Sequence, residues 1–278
     1  MPRSLLWPDP RVKPPFGAAE IDWGHPLAQG LEGLWLFNEG GGVIVYDLVG
    51  RTPLVIGAAL PGWETGRDGY TLRREWSQSG PKSLADTQGL TSALTVACKW
   101  APSINQNAGS LVSKQQRYGS QHSYALTPYN NTQNGFYIWV AGVMKKAEGT
   151  TSFLLSRNTW WGRFDGSNVL ANVYDFTGKS LESITGDATT GPIDTSTAKF
   201  CVGNADDNTA PTGSIDHGAI WSGALSTQYL AWFSAEPYAM LRPIIRRRYS
   251  IPHKIGPLIH AGNPQLITTG GSIGGATL

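Results

Sequence analysis

The chain has 278 residues, with 34 Gly, 18 Pro, 11 Trp and 10 Tyr but only 15% charged residues. Such a composition describes many turns and aromatic strands and argues against long solvated helices, and a length that would allow two domains also suits one large all-β core. A formal net charge of +2 is too small to coat the surface for nucleic acid, so any basic effect has to be local.

The first 30 residues read as a proline-rich arm, Trp7-Pro8-Asp9-Pro10-Arg11-Val12-Lys13-Pro14-Pro15-Phe16. Proline removes backbone donors and fixes an extended course, so this arm can follow a surface but cannot build a sheet interior. Its prolines also interrupt the apolar centre that a secretory signal needs, and no stretch approaches the ~18 apolar residues of a membrane span. The expectation is a protein made in the cytoplasm, with no membrane partner.

Strand-like alternation then recurs at 33–37, 42–47, 94–100, 109–113, 122–127, 135–143, 151–156, 168–176, 198–203 and 213–222. Turn clusters separate these segments, among them Asp165-Gly166-Ser167 and Asn204-Ala205-Asp206-Asp207-Asn208. Without helical crossovers the pattern predicts an antiparallel sandwich. Cys98 and Cys201 each lie inside an apolar alternating run and read as free core thiols. One helix is predicted, from the N-cap Ser226 to about Leu241, with Pro243 as its stop. Beyond it, Arg246-Arg247-Arg248-Tyr249 leads into a Gly/Ser/Thr-rich tail with little to bury, which is expected to order only against a partner. Fixing a backbone costs about 1–2 kcal/mol per residue, so both arms point to an assembly. The predicted organisation is an arm over 1–30, a sandwich over 31–245 and a second arm over 246–278.

The segment Trp35-Leu36-Phe37-Asn38-Glu39-Gly40, followed by Val45-Tyr46-Asp47-Leu48, resembles the first strand and Asp-containing loop of the laminin-G-like, concanavalin-A-like jelly rolls, in the form found in tailed-phage proteins. Trp161-Gly162-Arg163-Phe164-Asp165-Gly166-Ser167 with Val173-Tyr174-Asp175 resembles the family's strand pair joined by an Asp-Gly turn. Phe200-Cys201-Val202 and the run Gly213 to Ser226 resemble its closing strands and helix start. The resemblance spans about residues 30 to 240. It implies an all-β, antiparallel jelly-roll sandwich of concanavalin A-like form, with extended terminal arms and one short C-terminal helix. It also implies a virion component, and leaves activity open, because one fold hosts many functions.

Glycoside hydrolysis needs two carboxylates across the scissile bond, which glucanases of the resembled fold carry as Glu-x-Asp-x-x-Glu, and the nearest approach, Glu20-Ile21-Asp22-Trp23-Gly24-His25, lacks the second glutamate and lies in the arm. No nucleophile elbow, His/Cys metal spacing or phosphate loop is present in the sequence. The chain is therefore expected to be no enzyme. Calcium takes oxygen ligands from loops, and Asp47 and Asp216, then Glu39, are its candidate ligands on the motifs that resemble this fold; turn capping is the competing role for the two aspartates. Adjacent tryptophans on a strand face opposite ways. Trp161 matches a core position of the family, so Trp160 is expected to face outward as a glycan platform or subunit contact, with Trp63, Trp76 and Trp139 as further flat faces. Trp7 and Phe16 in the first arm, and Arg246, Arg247, Arg248 and Tyr249 in the second, are the expected assembly contacts.

These readings combine into a non-enzymatic capsid decoration protein of a tailed phage. It would be anchored by its arms to other virion proteins, the major capsid protein or tail components, in a homo-oligomer such as a trimer. The alternative is a carbohydrate-binding adhesin of tail or fibre that recognises host or environmental glycans.

Overall fold

In Leu94–Pro102, Val96, Cys98 and Trp100 point to one side of the strand and Ala97 to the other, and all four are buried. Asn158–Phe164 repeats the arrangement with Trp160 and Phe164 on one side and Trp161 on the other, as does Gly213–Trp221 with Ile220 against Ala219 and Trp221. Strands buried on both faces must lie inside a sheet covered twice. The computed structural model shows how. It describes residues 6–57, 62–66, 69–74, 80–83, 89–103, 109–116, 120–129, 133–153, 156–206 and 211–244.

In chain order the strands begin with β1 (Ala19–Ile21), β2 (Leu31–Trp35), β3 (Ile44–Val45), β4 (Leu54–Val55), β5 (Gly62–Gly66) and β6 (Gly69–Arg74). They continue with β7 (Lys82–Ser83), β8 (Leu94–Pro102), β9 (Val112–Gln115), β10 (His122–Tyr129), β11 (Gln133–Val140) and β12 (Val143–Ser152). The remainder are β13 (Asn158–Phe164), β14 (Asn168–Tyr174), β15 (Ser180–Ala188), β16 (Phe200–Val202), β17 (Gly213–Trp221), the helix α1 (Thr227–Ala235) and β18 (Leu241–Pro243).

One eight-stranded sheet runs β15-β14-β13-β8-β17-β6-β5, with β2 also paired to β17. The second, also eight-stranded, runs β12-β11-β10-β9-β16-β7-β4-β3. All pairings are antiparallel, as the alternation predicts. Between the sheets lies a core of Trp35, Trp100, Trp160, Tyr124, Phe136 and Phe200 with many aliphatic side chains. Gly162 has no side chain because the sheets meet there: a Cβ on it would sit 2.0 Å from Phe136 Cδ2. Cys98 and Cys201 are buried in opposite sheets as thiols outside any disulfide, as expected.

A third layer covers the outer face of the first sheet. Leu34, Ala97, Trp161, Ala219 and Trp221 pack there against Leu27, Leu31, Leu230, Phe233, Met240 and Leu241. The Trp161 and Trp221 rings stack at 5.7 Å, and Phe233 meets both edge-on at 5.4 and 5.2 Å. Burying each such ring is worth roughly 1.5–3 kcal/mol.

That layer corrects the expected N-terminal arm. From residue 6 the segment belongs to the sandwich: the Trp7 amide donates to the Leu241 carbonyl at 2.8 Å, the Tyr238 amide to Pro10, and β1 pairs β18 with Ile21 opposite Leu241. Lys13, only 5% exposed, sends its ammonium to the carbonyls of Tyr70 and Asp216 at 2.6 and 2.8 Å. An apolar outer sheet face needs a cover, and a proline-rich chain can lie over it without leaving many backbone amides unpaired.

The helix is also shorter than expected, ending at Ala235 rather than near Leu241. Pro237 forces the preceding Glu236 out of helical geometry, so it, and not Pro243, is the stop. Ser226 stands at the N-cap, although its hydroxyl makes no capping bond. Residues 245–278, the expected second arm among them, lie outside the described residues.

Candidate functional site

At the end of the first sheet, where β13 begins and β14 turns into β15, the strands leave a cavity of about 510 Å³. Three chain segments frame it. Ser156, Arg157 and Asn158 lead into β13, Asp175-Phe176-Thr177 make the turn after β14, and Ser234, Ala235 and Pro237 end α1; Lys99 of β8 and Arg11 of the N-terminal segment complete the lining.

The turn is fixed by its own sequence. Asp175 Oδ1 accepts from the Thr177 amide and hydroxyl at 2.8 and 2.6 Å and from the Lys179 amide at 3.0 Å, an Asp-led turn closed by the Asp175 amide on the Lys179 carbonyl and the Gly178 amide on the Asp175 carbonyl. Burial pushes the Asp175 carboxyl up, but the Thr177 and Lys179 hydrogen bonds and the Lys179 charge outweigh it and hold the group below the usual range. Gly178 supplies the left-handed step, φ +79°, and packs on the helix so closely that a Cβ there would stand 2.5 Å from the Ala231 carbonyl oxygen. The turn is thus pinned to α1. Its Phe176 ring, at 57% exposure, is left facing solvent at the cavity mouth.

The opposite wall is polar and buried. A bulge in β17 between Ile215 and His217 sets Asp216 out of the regular ladder with β8. The Asp216 carboxylate is fully buried; one oxygen accepts from Arg157 Nη1 at 2.5 Å, and the other has no hydrogen-bond partner among the described residues. Asn158, 4% exposed, is a lining residue; its side-chain nitrogen is buried on the side of β13 that Trp160 shares and finds no acceptor among the described residues. Ser234 accepts from Trp161 Nε1 at 3.0 Å, which turns a core tryptophan into a support for the cavity wall. Behind the wall His217 is wholly buried, and burial, then the Lys99 and Lys13 charges, hold its imidazole well below the ordinary histidine range.

The arrangement offers a ligand polar and cationic side chains and an aromatic face, beside a carboxylate committed to its own turn. A concave site with a few convergent polar groups and an apolar wall is the form that small-molecule sites take.

Few residues singled out from the sequence lie here. Trp160 is the clearest correction: it is 0% exposed and packs between the sheets, edge-on to Trp100 at 5.2 Å and to Phe153 at 5.6 Å. The rule of opposite faces holds for the pair, but the third layer buries the second face as well, so Trp161 is also 0% exposed. Trp139 does face outward from the second sheet, partly buried and stacked on His122 at 4.6 Å, whereas Trp63 packs at the core edge and Trp76 lies outside the described residues.

Asp47 is a turn clamp: one oxygen accepts from the amides of Leu34 and Val49, the other from those of Arg51 and Thr52, at 2.9–3.1 Å. Burial raises its carboxyl and these four bonds only partly offset the rise. Glu39 accepts from the Tyr46 amide at 2.8 Å and is likewise raised by burial against its hydrogen bonds and the Lys13 charge. Asp216 is engaged with Arg157. Among the described residues no group of three or more His, Cys, Asp or Glu converges to hold a metal ion, so the three proposed calcium ligands do not form one site.

Trp7 is partly buried in the third layer with its indole nitrogen on the Val12 carbonyl, a contact within the chain rather than with a neighbour. Phe16 is 53% exposed and lies 5.2 Å from Tyr46. Arg246, Arg247, Arg248 and Tyr249 lie outside the described residues. Missed by the sequence reading were Arg11, Lys99, Arg157, Asn158 and Phe176. One signal was available: Lys99 interrupts the otherwise apolar run of β8, and a lysine is seldom buried without a task.

No family model matches the chain, and no curated protein matches it in sequence. Solved structures do match in shape. The binding domain of Paraclostridial Mosquitocidal Protein 1 superposes with a TM-score of 0.53 at 14% identity, over 75% of this chain and 52% of that one. Trypanosoma rangeli sialidase in complex with sialic acid gives 0.52 at 15% identity, over 75% of this chain and 33% of that one. Domain 4 of AbnA, a GH43 extracellular arabinanase from Geobacillus stearothermophilus, in complex with arabinotriose, gives 0.52 at 14% identity, over 78% and 99%. The chain thus spans about half of the first protein, a third of the second and nearly all of the third. At such identities the likeness establishes the antiparallel β-sandwich, as the strand pattern predicts.

Proposed function

We propose that this chain is a non-catalytic carbohydrate-binding module whose sugar site is the cavity between the Asp175–Thr177 turn, the start of β13 and the end of α1. The observation that carries the reading is the pairing of exposed Phe176 with buried, fixed donors across a concave site of about 510 Å³. Sugars present an apolar ring face beside many hydroxyls, and the cavity offers a ring to stack on and partners for those hydroxyls. Support comes also from a neighbour of the same shape, the AbnA domain in complex with arabinotriose. The reading as non-catalytic rests on the lining: its carboxylate, Asp175, is spent on its own turn, where hydrolysis would need two carboxylates placed across a bond.

A virion setting, with capsid or tail partners and a homo-oligomer, remains a proposal from the resemblance of motifs. None of the three structures above is a phage protein. With the N-terminal segment docked on its own sandwich, anchoring would fall to residues 246–278.

The test is a glycan array probed with the purified chain and with Phe176→Ala. Retention of at least one glycan class by the natural chain, lost in the variant at an unchanged melting temperature, is the expected result. An array left blank by the natural chain contradicts the reading.

A further inference from the structure

Arg157 lines the cavity just before β13 with a side chain that is 27% exposed, whereas the Asp216 carboxylate it meets is wholly buried. One bond, from Nη1 to Asp216 Oδ1 at 2.5 Å, fixes the guanidinium from behind. The rest of its planar donor fork has no protein partner among the described residues. The pair carries no net charge. A carboxylate or sulfate brought to Arg157 would meet a cation already compensated, with the Asp216 charge behind it and little water to screen the repulsion. The hydroxyls of a neutral sugar meet no such penalty, and two adjacent hydroxyl oxygens can accept from one edge of a guanidinium. The other cations change this balance little. Lys99 is 6% exposed and already engaged in an interaction of its own, and Lys13 is bound to the Tyr70 and Asp216 carbonyls outside the lining. Arg11 is exposed, where solvent screens it, and Asp175 is committed to its turn.

Resting on the glycan reading above, we propose that Arg157 is the residue that reads sugar hydroxyls, and that the cavity takes neutral saccharides with two adjacent hydroxyls rather than their acidic counterparts. Asp216 is its positioning residue: the bulge in β17 sets the carboxylate out of the ladder, where it holds the fork in place and cancels its charge. A guanidinium fixed before the ligand arrives loses little freedom on binding, so its bonds to hydroxyls count nearly in full.

The experiment is an array of neutral saccharides beside their deoxy analogues and uronic-acid counterparts, read with the natural chain, Arg157→Lys, Asp216→Asn and Phe176→Ala, with the melting temperature of each as a check on folding. Arg157→Lys keeps a cation on Asp216 and removes the fork, so it carries the test if Asp216→Asn folds poorly. The natural chain should retain neutral members at least as well as acidic ones. It should lose about tenfold when one hydroxyl of an adjacent pair is deleted, the loss of a bond to a charged donor. Arg157→Lys should bind the parent sugar about tenfold more weakly and no longer tell it from that deoxy analogue, a coupling that a merely structural role would not produce. Asp216→Asn uncovers the Arg157 charge and should move retention toward acidic members. Three results overturn the inference: a natural chain that favours acidic members, an Arg157→Lys variant that keeps both affinity and deoxy discrimination, and a folded Asp216→Asn variant with unchanged preference. In each of them, binding that is still lost in Phe176→Ala leaves the glycan reading in place. A blank array removes the glycan reading and this inference together.

Discussion

Trp160 and Trp161 are adjacent in sequence and lie in different cores. Trp160→Ala should therefore act on stability, costing about 3–5 kcal/mol as a large cavity opens between the sheets, measured by urea denaturation. Phe176→Ala, at an exposed turn, should move stability by less than about 0.5 kcal/mol while removing sugar binding. The two variants separate a core ring from a contact ring. Asp47→Ala strips four amides of their acceptor, and a loss of at least about 2 kcal/mol is expected. Chelator should leave the melting temperature of the natural chain unchanged, since amides, not a cation, occupy that carboxylate.

His217 gives stability a pH dependence with a definite sign. Burial first, then Lys99 and Lys13, keep the folded imidazole neutral, whereas in the unfolded chain it takes a proton near its ordinary value of 6.5. Below that pH the unfolded state binds more protons, so this contribution to stability is complete above 6.5 and falls by about 1.4 kcal/mol per pH unit on acidification. His25 is shifted in the same direction by burial, against the Asp22 and Glu236 charges, and Glu39 and Asp47 are shifted so as to oppose it. The informative quantity is the difference in slope between the natural chain and His217→Gln from pH 7 to pH 5, with the shallower slope expected in the variant.

Three long strands inside the first sheet were legible from their apolar runs, whereas β6 and β13 beside them fall outside the segments read. β8, β14 and β17 lie within a residue or two of the segments read from the sequence. The edge strands were not. β12, Val143–Ser152, and β15, Ser180–Ala188, carry exposed polar and charged residues along most of their length, as edges that must not recruit another chain do. Very short strands such as β4 and β7 hold two residues each and leave no period to read.

The cavity was hidden for a related reason. Its lining comes from five places between Arg11 and Pro237, and only folding brings them together. The turn after β14 is the element that shapes it, through Gly178 against α1. Gly178→Ala would strain a positive φ and press on the Ala231 carbonyl, so sugar affinity should drop along with melting temperature, whereas Thr177→Val should lower affinity more than stability.

For the whole molecule, the sandwich has three layers where the sequence suggested two with loose arms. Removing residues 1–25 would take Ile21 and the whole of β1 from β18, uncover Leu241 opposite it and take away Lys13, so the shortened chain should melt at a lower temperature and bind a hydrophobic dye. A shortened chain as stable as the full one would show that the segment merely rests on the sheet. The outer face of the second sheet, with Trp139 stacked on His122, is the competing place for a sugar on this fold.

The most direct test of the account is therefore a crystal structure with a glycan taken from the array. Sugar beside Phe176 and Arg157, under the end of α1, is the expected result; sugar over Trp139 on the other sheet, with the cavity holding only solvent, would contradict it.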